Sequence, residues 1–69
     1  MNYEYVRKLL QLRGMRILDL ADQTGIVYTT LVRFLTGEVT PRFNNVCLIA
    51  DVLNVPVDDL VNVQQLLTA

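Results

Sequence analysis

The stretch LADQTGIVYTTLVRFLTG, residues 20–37, narrows the choice of fold more than any other part of the chain. Ala21 and Gly25 stand four apart, with apolar Leu20, Ile26, Leu31 and Phe34 placed around them. At helical spacing this reads as two short helices whose apolar faces meet across a turn. A small side chain at Ala21 lets the two helices cross closely, and Gly25 supplies a turn conformation that other residues adopt only at a cost. Gly37 then ends the second helix as a left-handed cap residue would. Tyr28, Thr29, Thr30, Val32 and Arg33 stay outside the apolar pattern, and packing gives no reason for them.

The rest of the chain is helical in pattern, with no repeat, low-complexity segment or internal linker. Asn2 is placed to cap a first helix that carries Val6, Leu9 and Leu10 on one side, and Gly14 ends it. The second and third helices are expected over about residues 16–24 and 27–36. Thr40-Pro41 has the form of a cap followed by proline at the first helical position. The fourth helix that follows carries Val46, Ile49, Ala50 and Leu53 on one face. Asn54-Val55 breaks it. Pro56 opens a short fifth helix, with Asp58 and Asp59 in its first turn, where the dipole favours acids. The expectation is an all-α domain over residues 1–60 and a tail over 61–69 that extends the fifth helix, forms a short strand or frays.

Composition removes several classes of function. At 69 residues a single core is thin, so stability is marginal or shared with a partner. The hydrophobic fraction of 52% points to some apolar surface at a protein interface. No uncharged apolar run approaches about 18 residues, so no membrane helix is expected. MNYEYVRK has no signal-peptide layout, so a cytoplasmic protein is expected. There is no histidine, and Cys47 stands alone in an apolar run. That argues against a disulfide within the chain, a Cys/His metal site, a cofactor or an enzyme. Cys47 reads as a small core hydrophobe, with a reactive thiol as the other reading. The net charge of −1 is unusual for a nucleic-acid binder. The charges are segregated, however: Arg7, Lys8, Arg13, Arg16, Arg33 and Arg42 come first, and no cation follows Arg42. One mildly basic and one acidic face fit this order.

Two helices joined at a glycine turn form a helix-turn-helix. A helix with its side chains is about 10–12 Å across, and the DNA major groove is about 12 Å wide, so the third helix fits it. A generic four- or five-helix bundle with incidental spacing is the plainer reading. The chain resembles the Cro and lambdoid phage repressor (XRE-type) family of helix-turn-helix proteins over about residues 5–60. The resemblance rests on Gly14, Leu20-Ala21, Gly25-Ile26, Leu31, Gly37, Pro41 and the run IADVLNVPVDDL. It implies a compact five-helix, lambda-repressor-like domain with a central helix-turn-helix. It further implies sequence-specific binding to double-stranded DNA, usually as a homodimer on a palindromic operator.

Carried onto this sequence, the resemblance makes Tyr28, Thr29, Thr30, Val32 and Arg33 the base-reading positions. Arg33 can offer its planar fork to guanine O6 and N7 together, or stand as a solvated surface charge. Thr29 can meet a base, a phosphate or a thymine methyl, or satisfy its own helix start. Tyr28 can meet a thymine methyl or a phosphate, or pack in the core or a dimer. Phosphate contacts are expected from Arg16 and from Thr40, Arg42 and Asn44 at the start of the fourth helix. The sequence departs from the family in three places. Arg16-Ile17 stand where a serine or threonine cap followed by glutamine is common. Val27 stands where a serine or threonine often precedes the recognition helix. Leu10 and Leu35 stand where some members pair an arginine with a glutamate, an exchange that is often neutral or stabilising. A dimer interface is expected on Val57, Leu60, Val61, Val63 and Leu66.

The function expected is a DNA-binding transcriptional repressor that blocks polymerase by occupying its operator. With no effector domain in view, control by concentration or a partner is expected rather than by a small-molecule ligand. The alternative is a protein-interaction module on the same fold, an antirepressor or assembly partner, with weak or no DNA binding.

Overall fold

The computed structural model describes residues 1–61, and these form five helices. They are α1 (Tyr3–Leu12), α2 (Ile17–Thr24), α3 (Tyr28–Thr36), α4 (Phe43–Leu53) and α5 (Val57–Leu60). The all-α fold class expected from the periodicity is what forms, and the ends of the helices show why the breaks fall where they do.

Asn2 caps α1 as expected, its side-chain oxygen accepting from the Tyr5 N–H at 3.2 Å. At the other end of α1, Met15 N–H donates to Leu10 C=O and Gly14 N–H to Gln11 C=O. This is the paired closure of a Schellman motif. The same pattern closes α3, where Glu38 donates to Arg33 and Gly37 to Phe34. It also closes α4, where Val55 donates to Ala50 and Asn54 to Asp51. Asn54 adopts the left-handed conformation at φ 56°, which asparagine tolerates better than most residues.

One helix start differs from expectation. Thr40-Pro41 does not cap α4. Arg42 is the N-cap and is extended (φ −70°, ψ 159°), and its carbonyl accepts from Asn45 and Val46. The helix therefore begins at Phe43, and Thr40 and Pro41 belong to the connection from α3. Thr-Pro is a favourable helix start only as a local preference, and the path from the end of α3 overrides it.

The inward faces meet in one core. Val6 and Leu10 of α1, Leu20 and Ala21 of α2, Leu31, Phe34 and Leu35 of α3 and the expected face of α4 are all buried. Leu10 and Leu35 are both in this cluster, so an apolar pair fills the place of the arginine–glutamate pair. Leu60 is also fully buried, and its carbonyl accepts from the Asn2 N–H at 2.7 Å. This corrects the expectation that Leu60 forms a dimer interface: its side chain is consumed in holding α5 against the protomer's own core. Val57 and Val61 are half-buried at the same end, while Val63 and Leu66 lie outside the described residues.

Two N-terminal arginines hold helix ends together. Arg7 donates to Leu35 C=O at 3.4 Å in the last turn of α3, and Arg13 donates to Leu53 C=O at the end of α4. A cation at a helix C-terminus meets both the unpaired carbonyls and the negative end of the dipole.

Candidate nucleic-acid interface

The turn between α2 and α3 is held by Gly25 and Thr24. Gly25 sits at φ 77° and donates to Ala21 C=O at 2.9 Å. A Cβ there would meet no atom within 4 Å, so the backbone angle alone calls for glycine. Thr24 is the buried polar side chain among the described residues. Its hydroxyl donates to Leu20 C=O at 2.8 Å and accepts from Ile26 N–H at 3.2 Å. One side chain thus joins the last turn of α2 to the residue leading into α3. Nothing in the apolar pattern marks Thr24. A threonine just before the glycine of a tight turn was the available signal.

This turn presents α3 with Leu31, Phe34 and Leu35 inward and Tyr28, Thr29, Thr30 and Arg33 exposed. Thr29 and Arg33 share the middle of the outward face, four residues or about 6 Å apart along the axis. Tyr28 and Val32 flank them on one side and Thr30 on the other. Val32 is half-buried, so only part of it reaches this face. Tyr28 is 46% exposed, which takes its ring out of the core. No side chain caps α3, so its leading N–H groups are free of an internal acceptor from that source. Among the described residues Arg33 has no carboxylate in ion-pair range. An uncommitted guanidinium on the exposed face of a helix suits a base edge with two adjacent acceptors.

The expected phosphate-contacting residues divide. Arg42 and Asn44 are exposed at the start of α4, which has no side-chain cap. Thr40 is exposed in the connection before it. Arg16, at the N-cap of α2, is already engaged: the Asp19 carboxylate accepts from its backbone N–H at 2.9 Å and lies 3.4 Å from its Nε. These contacts, the backbone one foremost, hold the Asp19 carboxyl below its ordinary pKa. Asp19 thereby caps α2 in the reverse sense, so a missing serine or threonine at the N-cap does not leave the helix start unsupported.

Among the described residues no group of side chains is arranged to hold a metal ion, and no helix is long and apolar enough to cross a membrane.

Comparison with known proteins agrees with this geometry. No curated protein and no solved structure matches the chain. A family model, the Cro/C1-type HTH DNA-binding domain, matches residues 6–65 and so takes in all five helices apart from the first turn of α1. The chain belongs to the Cro/C1-type helix-turn-helix family and is a DNA-binding regulator.

Proposed function

We propose that the chain represses transcription by occupying a palindromic operator as a homodimer, with α3 lying in the major groove. The observation that carries this reading is the division of α3: one face is locked in the core, and the other offers to solvent Thr29 and Arg33, which has no carboxylate partner among the described residues. Thr29, Thr30, Tyr28 and the exposed part of Val32 flank the base edges that Arg33 reads. Arg16, Thr40, Arg42 and Asn44 set the register on phosphates, which fixes position without reading sequence. Dimerisation uses Val57 and Val61 together with Val63 and Leu66 of the tail. Truncation after Leu60 lowers the mass in solution if this surface joins the protomers.

The test is selection of bound duplexes from a random DNA pool at low salt. The expected result is an enriched palindrome with half-site centres about 34 Å apart. Arg33→Ala is expected to lose about 1–3 kcal/mol of discrimination at one base pair while remaining folded.

A second reading has an observation of its own. Leu12, Phe43 and Leu48 are 75%, 67% and 44% exposed, more apolar surface than DNA binding explains. On a protein-interaction module these would meet a partner, and the selection would enrich no duplex.

A further inference from the structure

We propose that Arg7 is a positioning residue for DNA reading: from α1 it holds the last turn of α3 and so sets the aim of Arg33. The proposal rests on the reading of α3 as the groove-entering helix and of Arg33 as its base-reading side chain.

Arg33 stands in the last turn of α3, two residues before Leu35. The Leu35 carbonyl accepts from Arg7 Nη1 at 3.4 Å, across 28 positions of sequence. One helical turn earlier on α1, the ring of Tyr3 seats against Gly37, the C-cap of α3. Residues four apart share a helix face, so Tyr3 and Arg7 meet the end of α3 from one side of α1. The start of α1 is anchored in turn, since Asn2 N–H donates to Leu60 C=O at 2.7 Å. The Arg33 carbonyl is itself fixed, accepting from the Glu38 N–H at 3.0 Å and the Thr36 hydroxyl at 3.2 Å. The backbone that carries the candidate reader is thus tied down at the trailing end of α3, as the Thr24–Gly25 turn ties down the leading end.

A two-pronged contact is sensitive to where its backbone stands. Arg33 lies six residues, or about 9 Å, along the axis from Val27 at the leading end. A tilt of about 10° about that end swings Arg33 by about 1.5 Å, where a placed binding group tolerates about 0.5 Å. Buried Leu31, Phe34 and Leu35 decide which face of α3 turns inward, but apolar burial is non-directional and resists a small tilt weakly. A hydrogen bond from a guanidinium to one named carbonyl is directional. Arg7 is exposed and makes this single long bond, so the core loses little without it. Its effect on the fold is small, and its effect on the aim of Arg33 is large.

The experiment measures binding of the full chain to the selected duplex and to its single-base variants, across a salt series. Arg33→Ala names the base pair that Arg33 reads. Arg7→Met, which keeps the apolar stem and removes the donors, is expected to cut discrimination at that pair by about three- to tenfold, the loss of one prong of two. The salt slope is expected to stay unchanged. Arg7→Lys keeps a donor for the carbonyl and should recover part of the discrimination. Lys8→Met removes an equal charge from the neighbouring exposed residue and should leave discrimination intact. In an Arg33→Ala background, Arg7→Met should add no further loss at that pair, the mark of two residues acting as one. Full discrimination in Arg7→Met overturns the proposal. So does a salt slope reduced by about one, which puts Arg7 on a phosphate. Equal weakening on every duplex with a lower Tm makes Arg7 a support of the fold alone and also overturns it. If Arg33→Ala loses discrimination at no base pair, the proposal fails while DNA binding stands. If wild type enriches no duplex, with the fold confirmed by circular dichroism, the operator reading fails and takes the proposal with it.

Discussion

The ring of Tyr3 lies 2.8 Å from the place where a Cβ on residue 37 would stand, so Gly37 both closes α3 and seats the first residue of α1. Gly25 has a similar left-handed angle but open space around it. The two glycines thus separate a backbone requirement from a packing one. Gly25→Ala is expected to destabilise by about 1–2 kcal/mol from the left-handed angle alone. Gly37→Ala is expected to cost more, because the ring must also move. In a Tyr3→Leu background, which removes the crowded ring atoms, the cost of Gly37→Ala should fall to that of Gly25→Ala. Chemical denaturation of the four variants measures this, and an unchanged Gly37→Ala cost would exonerate the ring.

Thr24 makes a different prediction because its hydroxyl has two partners. Thr24→Val keeps the shape but leaves the Ile26 N–H without its acceptor in a buried turn. An unsatisfied buried donor costs about 1–3 kcal/mol. Thr24→Ser keeps the hydroxyl and loses one methyl, so it should cost less than about 1 kcal/mol. Equal losses in the two variants would show that the methyl, not the hydrogen bonds, holds the turn.

These two residues also mark what the sequence could and could not convey. Helix number, order and inward faces were legible because periodicity is a local property, and Asn2, Gly14, Gly25, Gly37 and Asn54 act within a turn of their own position. The start of α4 was misread at Thr40-Pro41, where a local preference yields to the path of the chain. The interlocking of Tyr3 with Gly37, the reach of Arg7 and Arg13 to the ends of α3 and α4, and the burial of Leu60 join residues far apart in sequence. No spacing rule contains them. Of the candidate site, the exposed face of α3 was legible as the remainder of the apolar pattern. The engagement of Arg16 by Asp19 was not, because an arginine and an aspartate three apart are equally compatible with two solvated charges.

That engagement gives a pH prediction and a binding prediction. The folded-state pKa of Asp19 is lowered, first by the Arg16 backbone N–H and then by its guanidinium. Its contribution to stability is therefore fully present above the ordinary carboxylate value of about 3.9 and is lost as pH falls from there through the lower folded value. Asp19→Asn should show less loss of Tm across that acid range than wild type. At neutral pH the same variant releases Arg16 and removes a negative charge from the start of α2. It should bind duplex DNA several-fold more tightly at low salt, an effect that fades as salt screens the phosphates. Unchanged binding would remove Arg16 from the phosphate-contacting set.

Salt dependence checks the whole electrostatic assignment. Arg7 and Arg13 are committed to helix ends, which leaves Arg16, Arg33 and Arg42 as the arginines available to DNA. With Arg33 on a base edge, Arg16 and Arg42 neutralise about two phosphates per protomer, so the slope of log K against log salt should be close to −2 per protomer. A titration from low to moderate salt gives this slope directly. A value corresponding to about eight released counterions per protomer would place the binding face elsewhere on the molecule.

Val27 marks a helix start that one substitution should strengthen. As the N-cap of α3 it leaves the leading N–H groups without a side-chain acceptor, while serine in its place can accept from one of them. Val27→Ser should therefore raise the unfolding free energy by about 0.5–2 kcal/mol, the usual range for gaining such a cap. If Val27→Ser is instead less stable than wild type, the valine side chain supports the fold through contacts that its 66% exposure does not account for. Thermal unfolding of the two proteins decides between these outcomes.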